Sequence, residues 1–139
     1  MRPLLLGLLA ILLAPLAAWA DDSRPPVISD VRVSQRGGQV QIEARITDET
    51  GVLMATCHHR AGGGRWLDAP MTKSDYDDTF KVSFPGGAES EYWIESSDLL
   101  GNGPSMYGAA AKPVAVGTAS AKDAQAQRET PEPPRHREP

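Results

Sequence analysis

From Val27 to Ile94 the large apolar residues of this chain fall into runs that recur at every second position, and that period decides its fold class. Val40, Ile42, Ala44 and Ile46 alternate with Gln41, Glu43, Arg45 and Thr47. Phe80, Val82 and Phe84 alternate with Lys81 and Ser83, and Tyr92 and Ile94 sit between Glu91, Trp93 and Glu95. Val31 and Val33 continue Val27 in the same parity. Residues two apart share one face of a strand, so each run presents one apolar and one polar face. Turn chemistry separates the runs at Gly37-Gly38, Thr50-Gly51, Gly62 to Gly64, Asp75 to Asp78, Gly86-Gly87 and Gly101-Asn102-Gly103. Those interruptions leave no room for a helix longer than a turn.

The spacing predicts strands at about 26–34, 39–48, 52–60, 65–70, 79–84, 91–98 and 105–110, arranged as an all-β, two-sheet antiparallel sandwich. Its core is expected to hold Val31, Val33, Val40, Ile42, Ile46, Val52, Ala55, Cys57, Phe80, Val82, Phe84, Tyr92 and Ile94.

The ends of the chain read differently. Met1 and Arg2 precede an apolar run from Leu4 to Leu13, and Ala18-Trp19-Ala20 puts small residues where a signal peptidase cuts. Residues 1–20 are therefore expected to be a cleaved secretory leader, since the run is short and broken by Pro15 where a span needs about 20 residues. No Cys follows the cleavage point and no twin arginine precedes the run, which points to soluble export, periplasmic or secreted. The folded domain is expected over 21–111. Residues 112–139 hold no aromatic residue and only Val114 and Val116 as large apolar ones, so a disordered Ala/Pro/charged tail is expected there. Residues 21–111 carry eight basic and fourteen acidic side chains, a net charge of −6. Without a dense basic block, nucleic acid is excluded as the main partner. A single Cys excludes a disulfide framework and a tetrathiolate metal site.

Pro26-Val-Ile-Ser-Asp-Val31, Ile46-Thr-Asp-Glu-Thr-Gly-Val52, Pro70-Met71, Thr79-Phe-Lys-Val-Ser-Phe-Pro85 and Glu91-Tyr-Trp-Ile-Glu-Ser-Ser-Asp-Leu-Leu-Gly-Asn102 resemble bacterial extracellular immunoglobulin-like and fibronectin type III-like modules. The resemblance covers residues 25 to 110. It implies that strands three, four, six and seven form one sheet, that Cys57 fills a core aliphatic position, and that the role is spacing, adhesion or assistance to exported enzymes. No catalytic domain accompanies the module in this chain.

Chemistry-bearing residues are few. Cys57-His58-His59 offers soft ligands for zinc or copper, with Met54, Met71 and Met106 as further sulfur. On a strand, however, Cys57 and His59 point to one face and His58 to the other, so the three cannot converge. Cys57 is expected to be a buried small hydrophobe. Asp48, Glu49, Asp98 and Asn102 can supply oxygen ligands for calcium from neighbouring loops, and Asp75, Asp77 and Asp78 form a second acidic run; neither has a calcium-loop spacing. At a strand end, Asp98 also serves as an acceptor for the N–H groups of the turn that follows. No nucleophile elbow is present, and the only His residues within the folded part are the adjacent pair His58 and His59, so no enzyme and no cofactor is expected.

Trp93 is out of parity with Tyr92 and Ile94 and is expected on the outer face of its sheet, where Trp66 and Tyr107 would join it in one binding surface. The competing expectation is that Arg60 and Arg65 cover the indoles and merely stabilise the sheet. Two functional readings follow. One is an exported, non-catalytic binding module whose partner is another envelope or extracellular protein, or alternatively a glycan, with no membrane span after cleavage. The other is a metal-handling periplasmic protein that uses Cys57 and His59 or the acidic loops.

Overall fold

The computed structural model describes residues 22–118. The expected leader and residues 119–139 of the expected tail lie outside the described residues. The strands are β1 (Val27–Arg36), β2 (Gln39–Thr47), β3 (Val52–Ala61), β4 (Leu67–Pro70), β5 (Thr72–Lys73), β6 (Thr79–Pro85), β7 (Ser90–Asp98), β8 (Ser105–Tyr107) and β9 (Val114–Ala115). They form two antiparallel sheets, β1-β2-β6-β5 and β4-β3-β7-β8, with β9 also pairing with β7. The predicted sandwich is what the chain builds, with the strands expected as three, four, six and seven sharing a sheet as β4-β3-β7-β8. Two short strands, β5 and β9, come in addition to the seven expected.

Local chemistry explains the joints. Arg36 pairs with Gln39, and both intervening residues, Gly37 and Gly38, have positive φ. A two-residue hairpin turn that matches the strand twist needs that conformation at both positions, which glycine adopts without steric cost.

The core lies between the sheets. Val40, Ile42, Ala44, Ile46, Phe80 and Phe84 of one sheet meet Ala55, Cys57, Tyr92 and Ile94 of the other. Across the gap the His59 ring stacks on Phe84 at 3.9 Å. Of the expected core, Val31, Val52 and Val82 are only half-buried, whereas Ala44, Met71 and Val116 are buried in addition.

Two expectations are corrected. Val27 does not share the parity of Val31 and Val33: it pairs with Thr47 and is 61% exposed, while Ile28 packs against the core. The cause is a register break between Ser29 and Arg32, where Asp30 takes a left-handed φ of 48° and the alternation flips. The folded part also does not stop at Ala111. Val114 and Ala115 pair with Tyr92 and Glu91, and Val116 is fully buried. Full burial of a valine contributes about 1.5–3 kcal/mol, enough to hold a segment that is otherwise poor in apolar residues.

Candidate functional site

The outer face of the β4-β3-β7-β8 sheet departs most from a plain solvated surface. Register alone sets its composition: His58 lies between Asp68 of β4 and Trp93 of β7, Thr56 between Pro70 and Glu95, and Arg60 opposite Glu91. These side chains lock together. The His58 ring stacks on the Trp93 indole at 3.8 Å with 12° between planes. His58 Nδ1 is 2.7 Å from Asp68 Oδ1, and Nε2 is 3.2 Å from Glu95 Oε1 without hydrogen-bond alignment. Arg60 Nε donates to Glu91 Oε2 at 2.7 Å while its guanidinium carbon lies 4.4 Å from the centre of the Trp66 ring. Trp66, just before β4, sets its edge against Trp93 with centroids 6.5 Å apart. A Cβ added to Gly108 would lie 3.2 Å from the Trp93 Cβ, so glycine lets the chain just after β8 pack against the base of that side chain.

The result is a rigid patch in which both indoles have ring contacts within the protein. Among the described residues Trp93 Nε1 is buried without a hydrogen-bond acceptor, an uncommon state for an indole N–H. Met54 and Met106, on the same face opposite Ser97 and Glu95, are 46% and 57% exposed beside it.

Of the three residues expected to share this surface, Trp66 and Trp93 come together and Tyr107 does not. Tyr107 pairs with the inward-facing Ile94 and its ring lies 6.4 Å from that of the buried Tyr92. It packs on the core because the turn at Gly101 to Pro104 sets a register in which Met106, not Tyr107, points outward. Arg60 does cover an indole, as the competing expectation had it; Arg65 is exposed and makes no such contact among the described residues.

Cys57 and His59 point inward and His58 outward, as strand geometry requires. Burial pushes the Cys57 thiol up to about 12, far from a thiolate nucleophile or metal ligand at neutral pH. Burial also holds His59 below the ordinary imidazole value, opposed in part by the charge of Asp68. Met71 is in the core and Met54 and Met106 are on the outer face, so the sulfur atoms do not gather into a soft-ligand set.

The acidic loops do converge. Carboxylate oxygens of Asp22, Asp48 and Asp98 lie within 4.8 Å of one another. Each of the two loop aspartates, however, already caps a turn. Asp48 Oδ1 accepts from Thr50 N at 2.9 Å, Thr50 Oγ1 at 2.8 Å and Gly51 N at 3.1 Å. Asp98, fully buried, accepts from Leu100 N at 2.9 Å and Asn102 N at 2.7 Å through Oδ1, and from Asn102 Nδ2 at 2.6 Å through Oδ2. Burial raises the Asp98 pKa, but the hydrogen bonds from Asn102, Leu100 and Gly101 together outweigh it and leave the carboxyl below its ordinary value. Asn102 Nδ2 also donates to the Asp22 carbonyl at 2.8 Å, and Glu49 turns away to an ion pair with Arg24. In the other acidic run, Asp77 accepts from Thr79 N at 2.9 Å, again a turn bond.

No protein-family model matches the chain. No curated protein matches it either. Among solved structures the chain is similar to the crystal structure of a Br derivative of BhCBM56, at 15% identity over 60% of this chain and 85% of that chain, with a TM-score of 0.43. Among the described residues, no helix is long and apolar enough to cross a membrane.

Proposed function

We propose that this protein is an exported, non-catalytic binding module of the immunoglobulin-like type, acting at the cell envelope or in the secreted fraction. In this reading it holds another exported protein through the outer face of the β4-β3-β7-β8 sheet. The strand order, β1-β2-β6-β5 against β4-β3-β7-β8, supports the immunoglobulin-like reading: with β4 set aside as an added edge strand, the first, second, fifth and fourth of the remaining strands share one sheet, as they do in that class. Export rests on the leader read in residues 1–20.

The observation that carries the choice of partner is the state of the indoles. A sugar-stacking platform presents open ring faces. Here His58 stacks on Trp93 and the Arg60 guanidinium lies over Trp66, while Met54 and Met106 stand exposed beside them. Trp, Met and Arg are the residue types enriched at the centres of protein interfaces. Their being held in place before binding lowers the ordering cost of association.

The test uses the protein as bait on solubilised envelope and culture-fluid fractions, with Met106→Asp and Trp66→Ala beside the wild type. One protein retained in stoichiometric amount by the wild type and lost by both variants, with circular dichroism unchanged, supports the reading. Retardation of the wild type in native gels containing soluble polysaccharides, lost in Trp66→Ala, replaces it with the glycan alternative. Capture that neither substitution weakens removes this face from the function.

A further inference from the structure

A concave surface lies on the other side of the sandwich, on the outer face of the β1-β2-β6-β5 sheet. It is a cleft of about 350 Å³ whose charged lining is Asp30, Arg32, Glu43, Arg45, Asp77 and Asp78. That volume is at the lower end for small-ligand sites, which span roughly 300–1,000 Å³.

Half of these charges are already committed. Glu43 accepts from Gln41 Nε2 at 3.0 Å and faces Lys81 Nζ at 3.2 Å, Asp78 faces Lys73 Nζ at 3.1 Å, and Asp77 holds Thr79 N at 2.9 Å. Arg32, Arg45 and Asp30 remain. Among the described residues none of these three side chains has an ion-pair or hydrogen-bond partner. Register brings them into the cleft. Arg32 lies opposite Glu43 and Arg45 opposite Thr79, while the break in β1 sets Asp30 and Val31 together against Ala44. Asp30 is the one non-glycine residue with positive φ among the described residues.

We propose that this cleft binds a small zwitterion, a ligand with one carboxylate and one ammonium group such as a free amino acid or a short peptide. The guanidinium forks of Arg32 and Arg45 take the carboxylate, a geometry that suits bidentate hydrogen bonds. Asp30 takes the ammonium group. Ligands of one sign fit worse: a simple anion leaves Asp30 unmatched, and a simple cation leaves Arg32 and Arg45 unmatched. The cleft and the Trp66–Trp93 face are on opposite outer faces, so this site stands independently of the partner reading above.

The test is an amide-shift NMR titration of the protein with glycylglycine, with N-acetylglycylglycine and glycylglycinamide as ligands lacking one charge. Saturable shifts at Ala44 and Thr79 are expected with glycylglycine, at least tenfold weaker with either blocked form. Arg45→Gln weakens glycylglycine binding at least tenfold. Asp30→Asn, which keeps a residue tolerant of the left-handed backbone, removes the preference for the free amine. No saturable shift up to about 10 mM, tenfold above a millimolar Kd, overturns the proposal. Equal binding of all three ligands, or binding unchanged in Arg45→Gln, overturns it as well and leaves a solvated charged surface.

Discussion

Cys57 allows a quantitative test of the core. Its side chain is fully buried between the sheets and its pKa is pushed up from 9.0 to about 12. At pH 8 a thiol of pKa 9.0 is about one-tenth ionised, whereas one at about 12 is ionised in about one molecule in ten thousand. Thiolate supply alone therefore slows alkylation by about a thousandfold, and exclusion of the reagent slows it further. The assay compares iodoacetamide labelling, read by mass spectrometry, in buffer and in guanidinium chloride. Native labelling within tenfold of the unfolded rate, or a disulfide-linked dimer on a non-reducing gel, refutes the burial. Stability offers a second readout. Above pH 9 the unfolded thiol loses its proton while the folded one keeps it, so the folded state binds more protons and stability falls as pH rises toward 12. The slope from this group approaches about 1.4 kcal/mol per pH unit. Cys57→Ala, at a cost of about 1 kcal/mol for the lost packing, lacks that slope. Identical alkaline profiles for the two proteins remove the argument.

Truncation after Ala111 is expected to lower stability by about 2 kcal/mol or more through loss of Val116 burial; chemical denaturation of chains ending at Ala111 and Thr118 checks this. Trp66→Ala is expected to cost about 1 kcal/mol, the scale of a cation–π and an edge contact. Trp93→Ala, which loses the His58 stack and the packing under Gly108, costs roughly 2–3 kcal/mol; equal losses in urea melts contradict this arrangement. The Asp98 carboxyl titrates below 3.8 in the fold, so its support is present above that value and is lost as pH falls through the lower folded value. Asp98→Asn is expected to flatten the acid limb of the stability curve. Millimolar calcium is expected to leave the melting temperature unchanged, because Asp48 and Asp98 already serve turn N–H groups; a rise of several degrees assigns the cluster to a cation instead.

The strands were legible wherever one face alternates cleanly with the other. In β7 the period carries from Ser90 to Asp98, with every second residue buried. It even takes Ser90, Ser96 and Asp98 inward, polar residues that the pattern alone would not assign to a core. Alternation also put Trp93 outside and separated His58 from Cys57 and His59. Three features escaped. The break at Asp30 was hidden because an Asp is unremarkable in the polar half of a strand, although it reverses the parity of Val27. Strand β9 was hidden because two valines in an Ala/Pro-rich run carry no periodic signal. Tyr107 was misplaced because the turn before β8 sets its register by tertiary pairing, not by local alternation. The zwitterion cleft had no sequence signature: its lining comes from β1, β2 and the turn before β6, far apart along the chain.

The irregularity at Asp30 also bears on strand addition at the edge of the sheet. β1 is the outermost strand of its sheet, and ten residues of unpaired edge offer another chain a template for strand addition. A left-handed residue and a register break in the middle divide that template into two short pieces, neither long enough to hold a foreign strand firmly. An edge interrupted in this way needs no covering helix or further strand, so both outer faces of the sandwich stay uncovered.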